Sequence, residues 1–209
     1  MLYKYIMEKY QQNEPIFVSE LKIDGMTDVN IRQQLKRLSD ADIIKRYDKG
    51  IYFIPKASVF KSGGQLPLDD VIKKKYLEYE NKKFGYICGV SFANQLGLTT
   101  QVPMCCEVVS NKATKAYREL MIAKSRIILR KPRVKITNEN YKILQFLDLI
   151  KNIDSLSDLS KAELKIKLTV YMRQNGLTFE ALSKYLEYYP DKIYRHLYEV
   201  GLLYGVSTL

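Results

Sequence analysis

The chain has 209 residues, 46% of them apolar and 27% charged, with 34 Lys+Arg against 23 Asp+Glu and a formal net charge of +11. That composition is globular, and at about 150 residues per domain the length holds one or two domains, each able to bury a core. No apolar run approaches the roughly 20 residues of a membrane helix, the charged N-terminal stretch does not read as a secretory signal, and three cysteines (Cys88, and the adjacent Cys105 and Cys106) make no disulfide framework, so a reducing cytoplasm is expected.

The N-terminal sixty residues read as a small domain. Leu2, Tyr5, Ile6 and Tyr10 recur at helical spacing, and Pro15 bars extension. Ser19 is a good N-cap for a short helix through Leu21, which Gly25 breaks. Thr27 is the next N-cap, with Asp28 in the first turn of a helix over Asp28 to Ser39. Ile31, Leu35 and Leu38 lie within about 60° of one another on that helix. Its other side carries Asn30, Arg32, Gln33, Lys36 and Arg37. Ile43 to Tyr47 and Ile51 to Ile54 are β-prone runs around Asp48-Lys49-Gly50, which predicts a hairpin.

Helix, short helix, helix and hairpin, in that order, are the outline of a winged helix-turn-helix. Its third helix enters the DNA major groove, where Asn and Gln can pair with adenine and Arg with guanine. Thr27, Asn30, Arg32, Gln33, Lys36 and Arg37 are the candidate contacts on that helix. Lys45, Arg46 and Lys49 on the wing would neutralise phosphate. The plain alternative is that a polar helix face is only a wet surface. Asp28, Asp40, Asp42 and Asp48 would repel phosphate, so this module alone should bind DNA weakly.

Ala57 to Asp70 has turn formers and no periodicity, so 61–70 is read as a linker after a domain boundary near residue 62. Residues 71–209 read as a larger α+β domain ending in a helical bundle. Asp69 to Tyr79 looks helical. Gly85 to Gly89 leads into a helix over Ser91 to Leu96. Pro103 to Val109, Arg126 to Leu129 and Arg133 to Ile136 are strand candidates. Helices follow over Tyr141 to Ile150, Ala162 to Gln174, Phe179 to Tyr188 and Lys192 to Leu203. Ile166, Val170 and Tyr171, then Leu182, Tyr185 and Leu186, form expected core stripes.

Charge is uneven along the chain. Residues 1–60 carry 10 basic and 8 acidic side chains, 61–150 carry 16 and 8, and 151–209 carry 8 and 7. The middle segment therefore holds most of the excess, in Lys73 to Lys75, Lys82-Lys83 and Arg126 to Lys135, a pattern that favours a polyanionic partner. Arg126, Arg130, Lys131, Arg133 and Lys135, with Lys112, Lys115 and Arg118, are the candidate basic surface, and Arg130-Lys131-Pro132-Arg133 is expected as an exposed turn between two strands. The alternative is that these charges keep the domain soluble.

No glycine pattern matches a nucleotide-binding loop. Cys105-Cys106 lacks the spacer of a zinc pair and reads as core cysteine in a strand. No cofactor, metal site or catalytic residue is expected, and His196, the single histidine, has no visible partner in sequence and is expected to be structural. The nearest nuclease-like pattern is Glu107-Val108-Val109-Ser110-Asn111-Lys112, in which Lys112 stands too far from Glu107 for the Glu-x-Lys of a metal-dependent nuclease. Tyr185, Tyr188, Tyr189, Tyr194 and Tyr198 crowd the last helices, where tyrosine suits either a protein interface or a half-buried position.

The stretch Tyr86-Ile87-Cys88-Gly89, continuing through Leu96-Gly97-Leu98-Thr99-Thr100-Gln101-Val102-Pro103, resembles a block found in AbiEi-like antitoxins of type IV (abortive infection) toxin–antitoxin systems. Gly50-Ile51-Tyr52-Phe53-Ile54-Pro55 resembles that family's wing. The resemblance covers roughly residues 1–150 and departs at Cys88, where the family often has Ser, and in a shorter C-terminal region. It implies a transcriptional autorepressor that binds double-stranded DNA at promoter inverted repeats and opposes a nucleotidyltransferase-like toxin, with no catalytic residues of its own. A stand-alone regulator without a toxin is the alternative. Either would be a monomer in solution or a dimer on DNA.

Overall fold

The computed structural model describes residues 1–56 and 64–203. The chain divides into two compact units, Met1–Lys74 and Lys75–Leu209. The division falls after Lys74 rather than near residue 62, because the helix α3 (Leu68–Ile72) belongs with the first unit. Residues 57–63 of the expected linker lie outside the described residues.

In the first unit α1 (Leu2–Lys9) buries Leu2 and Ile6, one turn apart. The chain then forms β1 (Ile16–Phe17) and a single 3-10 turn over Val18–Glu20. The expected short helix is thus only this turn. Phe17 occupies its N-cap position and Ser19 lies inside it. α2 (Asp28–Asp40) starts where the sequence placed it, with the Thr27 hydroxyl accepting from the Asn30 backbone N–H. β2 (Lys45–Asp48) and β3 (Ile51–Phe53) form the hairpin, with a bulge at Tyr47. β1 pairs antiparallel to β3, which makes a three-stranded sheet in the order β1-β3-β2. Leu2, Ile6, Ile16, Leu21, Ile31, Leu35 and Ile44 close the core between helices and sheet.

The second unit is mixed α and β. The chain makes a π-helical turn at Lys73–Leu77 and a small hairpin, β4 (Glu78–Tyr79) with β5 (Lys82–Lys83). The π-helical turn continues α3 from the first unit, so the helix expected over Asp69 to Tyr79 runs to Leu77 and gives way to β4 two residues early. β6 (Gly85–Cys88) leads into α4 (Gly89–Gln95). β7 (Cys106–Ser110), β8 (Tyr117–Ile122) and β9 (Ser125–Arg130) complete a four-stranded sheet in the order β6-β7-β9-β8. β7 and β9 run parallel and the outer pairs antiparallel. The strand expected at Arg133 to Ile136 does not form, and the chain runs irregularly from Lys131 to Asn140. β8 takes its place in the sheet, beside β9.

Two glycines of β6 and α4 are dictated by close approach. A Cβ at Gly85 would lie 2.0 Å from the Tyr76 carbonyl oxygen. At Gly89, φ is +64° and a Cβ would meet Glu107 Oε1 at 2.6 Å. Glycine alone tolerates both demands.

α5 (Tyr141–Lys151) is buried almost all round and packs on β6, with α4, α6 (Ile153–Leu156), α8 (Phe179–Leu186) and α9 (Lys192–Glu199) about it. α7 (Lys161–Gln174) opens with a full capping box from Ser160 and Glu163. Its buried side is Leu164, Leu168, Tyr171 and Met172. This corrects the expected stripe: Ile166 is 64% and Val170 45% exposed. They lie across the helix from Leu164 and Leu168, and the side chains that find partners decide the face. No helix among the described residues is long and apolar enough to cross a membrane.

Candidate nucleic-acid interface

α2 presents two faces of opposite character. Ile31 and Leu35 are buried, whereas Asn30, Arg32, Gln33, Lys36 and Arg37 are exposed. Asn30 Oδ1 accepts from Gln34 Nε2 at 3.1 Å, so its carbonyl is committed along the helix. Among the described residues Arg32, Gln33, Lys36 and Arg37 have no side-chain hydrogen bond or ion pair, and these cationic and amide groups are available to a ligand. Thr27 is exposed and holds the helix start.

The hairpin lies beyond the C-terminal end of α2. Lys49 stands exposed at its turn, where the backbone N–H donates to Asp48 Oδ1 at 2.7 Å. Arg46 is exposed with Nε 3.4 Å from the Asp48 carbonyl, and Lys45 is half-buried opposite Phe53. The Asp48 carboxylate, half-buried, thus accepts from the backbone of its own turn.

The expected basic surface of the second unit separates into two kinds of residue. Arg126 makes two hydrogen bonds to Glu119, at 3.0 and 2.7 Å. Glu119 also accepts from the Tyr117 hydroxyl. These donors hold the Glu119 carboxyl below its ordinary range. Arg130 pairs with Glu107 at 3.0 Å and lies over the Tyr117 ring. Arg133 donates to the Tyr188 carbonyl at 3.1 Å and stacks over Tyr189. Lys112 is exposed over the Phe84 ring. Lys115, Arg118, Lys131 and Lys135 are exposed, and no side-chain hydrogen bond or ion pair engages them among the described residues. Arg130 ends β9 and is followed by irregular chain, so Arg130 to Arg133 is not a turn between strands.

Strand pairing explains these partners. Tyr86, Val109, Arg130 and Tyr117 form one row across the sheet, and Cys88, Glu107, Ile128 and Glu119 the next. Tyr86 and Val109 are buried, whereas Tyr117 is 44% exposed. The helical layer packs on β6 and β7, whereas on β9 and β8 Arg126, Arg130, Tyr117 and Glu119 are exposed and Ile128 between them is buried.

Polar groups missed in sequence lie under that layer. Tyr86 donates to Asp148 Oδ2 at 2.7 Å, and Lys151 pairs with Asp148 Oδ1 at 2.9 Å. Burial, with Asp148 and Glu107 nearby, pushes the Cys88 thiol well above its ordinary range, so it is an unreactive core residue. Cys105 and Cys106, expected in the core, are only half-buried. His196 is 1% exposed and does have partners: Nδ1 lies 2.7 Å from the Ile150 carbonyl and Nε2 2.9 Å from Asp154.

The Leu98 to Gln101 stretch is an anchored loop. Thr99 and the Thr100 backbone N–H both donate to Asp158, and Asn94 donates to the carbonyls of Thr99 and Gln101. Among the described residues no group of three His, Cys, Asp or Glu side chains assembles as a metal site. Glu107, the acidic residue of the nuclease-like pattern, is taken by Arg130.

Fold and surface together define a two-unit α+β protein with a polar, cationic helix face on its first unit. Residues 5–175 match DUF6088, a family of unknown function, and the chain belongs to that family. No curated protein matches it.

Proposed function

We propose that this protein is a DNA-binding transcriptional regulator whose first unit is a winged helix-turn-helix, with α2 as the reading helix and the β2–β3 hairpin as the wing. The observation that carries the reading is the outward face of α2. Arg32, Gln33, Lys36 and Arg37 project from a rigid, capped helix with no internal partners among the described residues. Bidentate Arg and Gln side chains are the groups that read base edges. Helix, strand, helical turn, helix and hairpin follow in the order that such a domain requires. Lys49 at the hairpin turn suits a phosphate contact.

The Tyr86 to Pro103 block and the wing sequence favour an AbiEi-like antitoxin that represses its own promoter and opposes a nucleotidyltransferase-like toxin. A regulator acting without a toxin is the second reading. Neither assigns the protein a reaction.

A mobility-shift titration of the intact protein on the DNA upstream of its own gene tests the reading. Binding should fall as salt rises. Alanine at Arg32, Gln33 and Lys36 together should lower affinity for that DNA by at least about tenfold and for random DNA much less. Equal losses on both would mean that α2 touches only the backbone. No shift at low salt would remove the DNA-binding reading. Relief of growth arrest on co-expression with an adjacent nucleotidyltransferase-like protein would separate the antitoxin from the stand-alone regulator.

A further inference from the structure

α2 carries one residue that its polar face does not explain. Val29 is 62% exposed, two positions after the Thr27 cap. A β-branched residue there gains nothing for the helix, since Ala, Lys or Glu would form it better. A lone exposed valine is ordinary on a protein surface. The position of this one is not. At about 100° per residue, Val29, Gln33 and Lys36 fall within about 60° of one another, on the side opposite Ile31 and Leu35. Val29 and Gln33 are one turn apart, with Cβ atoms about 6 Å from each other. Arg32 and Arg37 flank them with positive charge, which suits a polyanion. Gln33 has its amide available, whereas Asn30 is tied to Gln34.

An A·T pair shows the major groove an acceptor and a donor on adenine and a methyl group on thymine. Neighbouring pairs are about 3.4 Å apart along the duplex axis, so a Cβ separation of about 6 Å reaches one or two steps. Resting on the DNA-binding reading above, we infer that Val29 and Gln33 jointly read two A·T pairs one or two steps apart. Gln33 makes the paired hydrogen bonds to adenine. Val29 packs on the thymine methyl. The residues at the start of a reading helix are those that reach base edges, and Val29 lies in that first turn.

Selection of duplexes from a random-sequence pool by the intact protein tests this. The selected site is then remade with deoxyuridine at each thymine in turn, which removes only the methyl. One such position should weaken the wild-type protein about fourfold, the equivalent of about 0.8 kcal/mol for one buried methyl. Val29→Ser and Val29→Ala should bind the thymine site about that much more weakly and respond less than about twofold to deoxyuridine. Gln33→Ala should lose its adenine preference one or two steps away and keep the deoxyuridine penalty. Both Val29 variants leave the Thr27 cap intact, and equal melting temperatures would show that the fold is unchanged. If no duplex is selected, the DNA-binding reading fails and takes this inference with it. If duplex is selected but no thymine methyl matters, or the penalty persists in both Val29 variants, the inference alone is overturned.

Discussion

Lys74 is counted in sequence among the solvated lysines of a basic run, yet its side chain is 9% exposed. Its ammonium pairs with Glu14 at 2.7 Å, donates to the Pro15 carbonyl at 2.7 Å and lies over the Tyr10 ring. A buried charge persists only when its donors are met, and removal of one partner strands the other. Lys74→Met keeps the aliphatic stem but leaves Glu14 and the Pro15 carbonyl without it. The expected loss is about 2 kcal/mol of stability, read as a lower urea midpoint. An unchanged midpoint would make Lys74 a bystander. Asp158 offers a second prediction at this scale. The Thr99 hydroxyl and Thr100 N–H hold its carboxyl below the ordinary range. Its stabilising effect is therefore complete above the unfolded value of about 3.9 and is lost as pH falls toward the folded one. Wild type should melt above Asp158→Asn at pH 7, with the gap closing below about pH 4. A constant gap across that range would mean that charge plays no part.

At the scale of elements, β8 shows why a strand escapes a sequence reading. It joins β9 through Ala123-Lys124, with φ of +47° and +69°. Two left-handed residues in a two-residue loop are the geometry of a type I′ turn, whose sequence signal is Asn-Gly. Ala-Lys carries no such signal. The β4–β5 turn does the same with Glu80 and Asn81, at φ of +48° and +62°. Left-handed backbone costs a residue with a Cβ about 1 kcal/mol. Replacing Ala123 and Lys124 by Asn and Gly should raise the melting temperature by several degrees without changing the fold. A fall would show that those side chains are held by more than the turn. α2 is the contrary case, because its start is written locally. Thr27→Ala should cost about 1 kcal/mol by leaving the Asn30 N–H without its acceptor, measurable by urea denaturation.

At the scale of the whole molecule, the question is which part of +11 is open to a polyanion. Arg126, Arg130 and Arg133 are drawn into pairs with Glu119, Glu107 and the Tyr188 carbonyl. Lys115, Arg118, Lys131 and Lys135 are not. If the second unit adds affinity for DNA, the open four carry it. Reversing them to Glu should weaken binding at low salt and flatten its salt dependence, by about 0.9 in log–log slope for each phosphate no longer neutralised. Arg130→Glu is a poor probe of binding, since it sets two carboxylates against each other and should lower the melting temperature. A salt slope unchanged in the fourfold variant would confine DNA contact to the first unit.

Local chemistry made much of this protein legible from its residues. The Thr27 cap, the apolar spacing of Ile31, Leu35 and Leu38, and the Gly50 turn place α2 and its hairpin within a few positions. The Asn175-Gly176 and Tyr189-Pro190 breaks do the same for the last helices. Each of those signals acts over one or two turns of chain. The tertiary structure alone decided which charges stay open to solvent and which face each other. Lys74 meets Glu14 across 60 residues of sequence, and Arg130 meets Glu107 across 23. It also decided that Ile166 and Val170 look outward and that His196 is clasped by Ile150 and Asp154. Burial and ion pairing depend on what the folded chain brings alongside, and periodicity within one helix or strand carries no record of that.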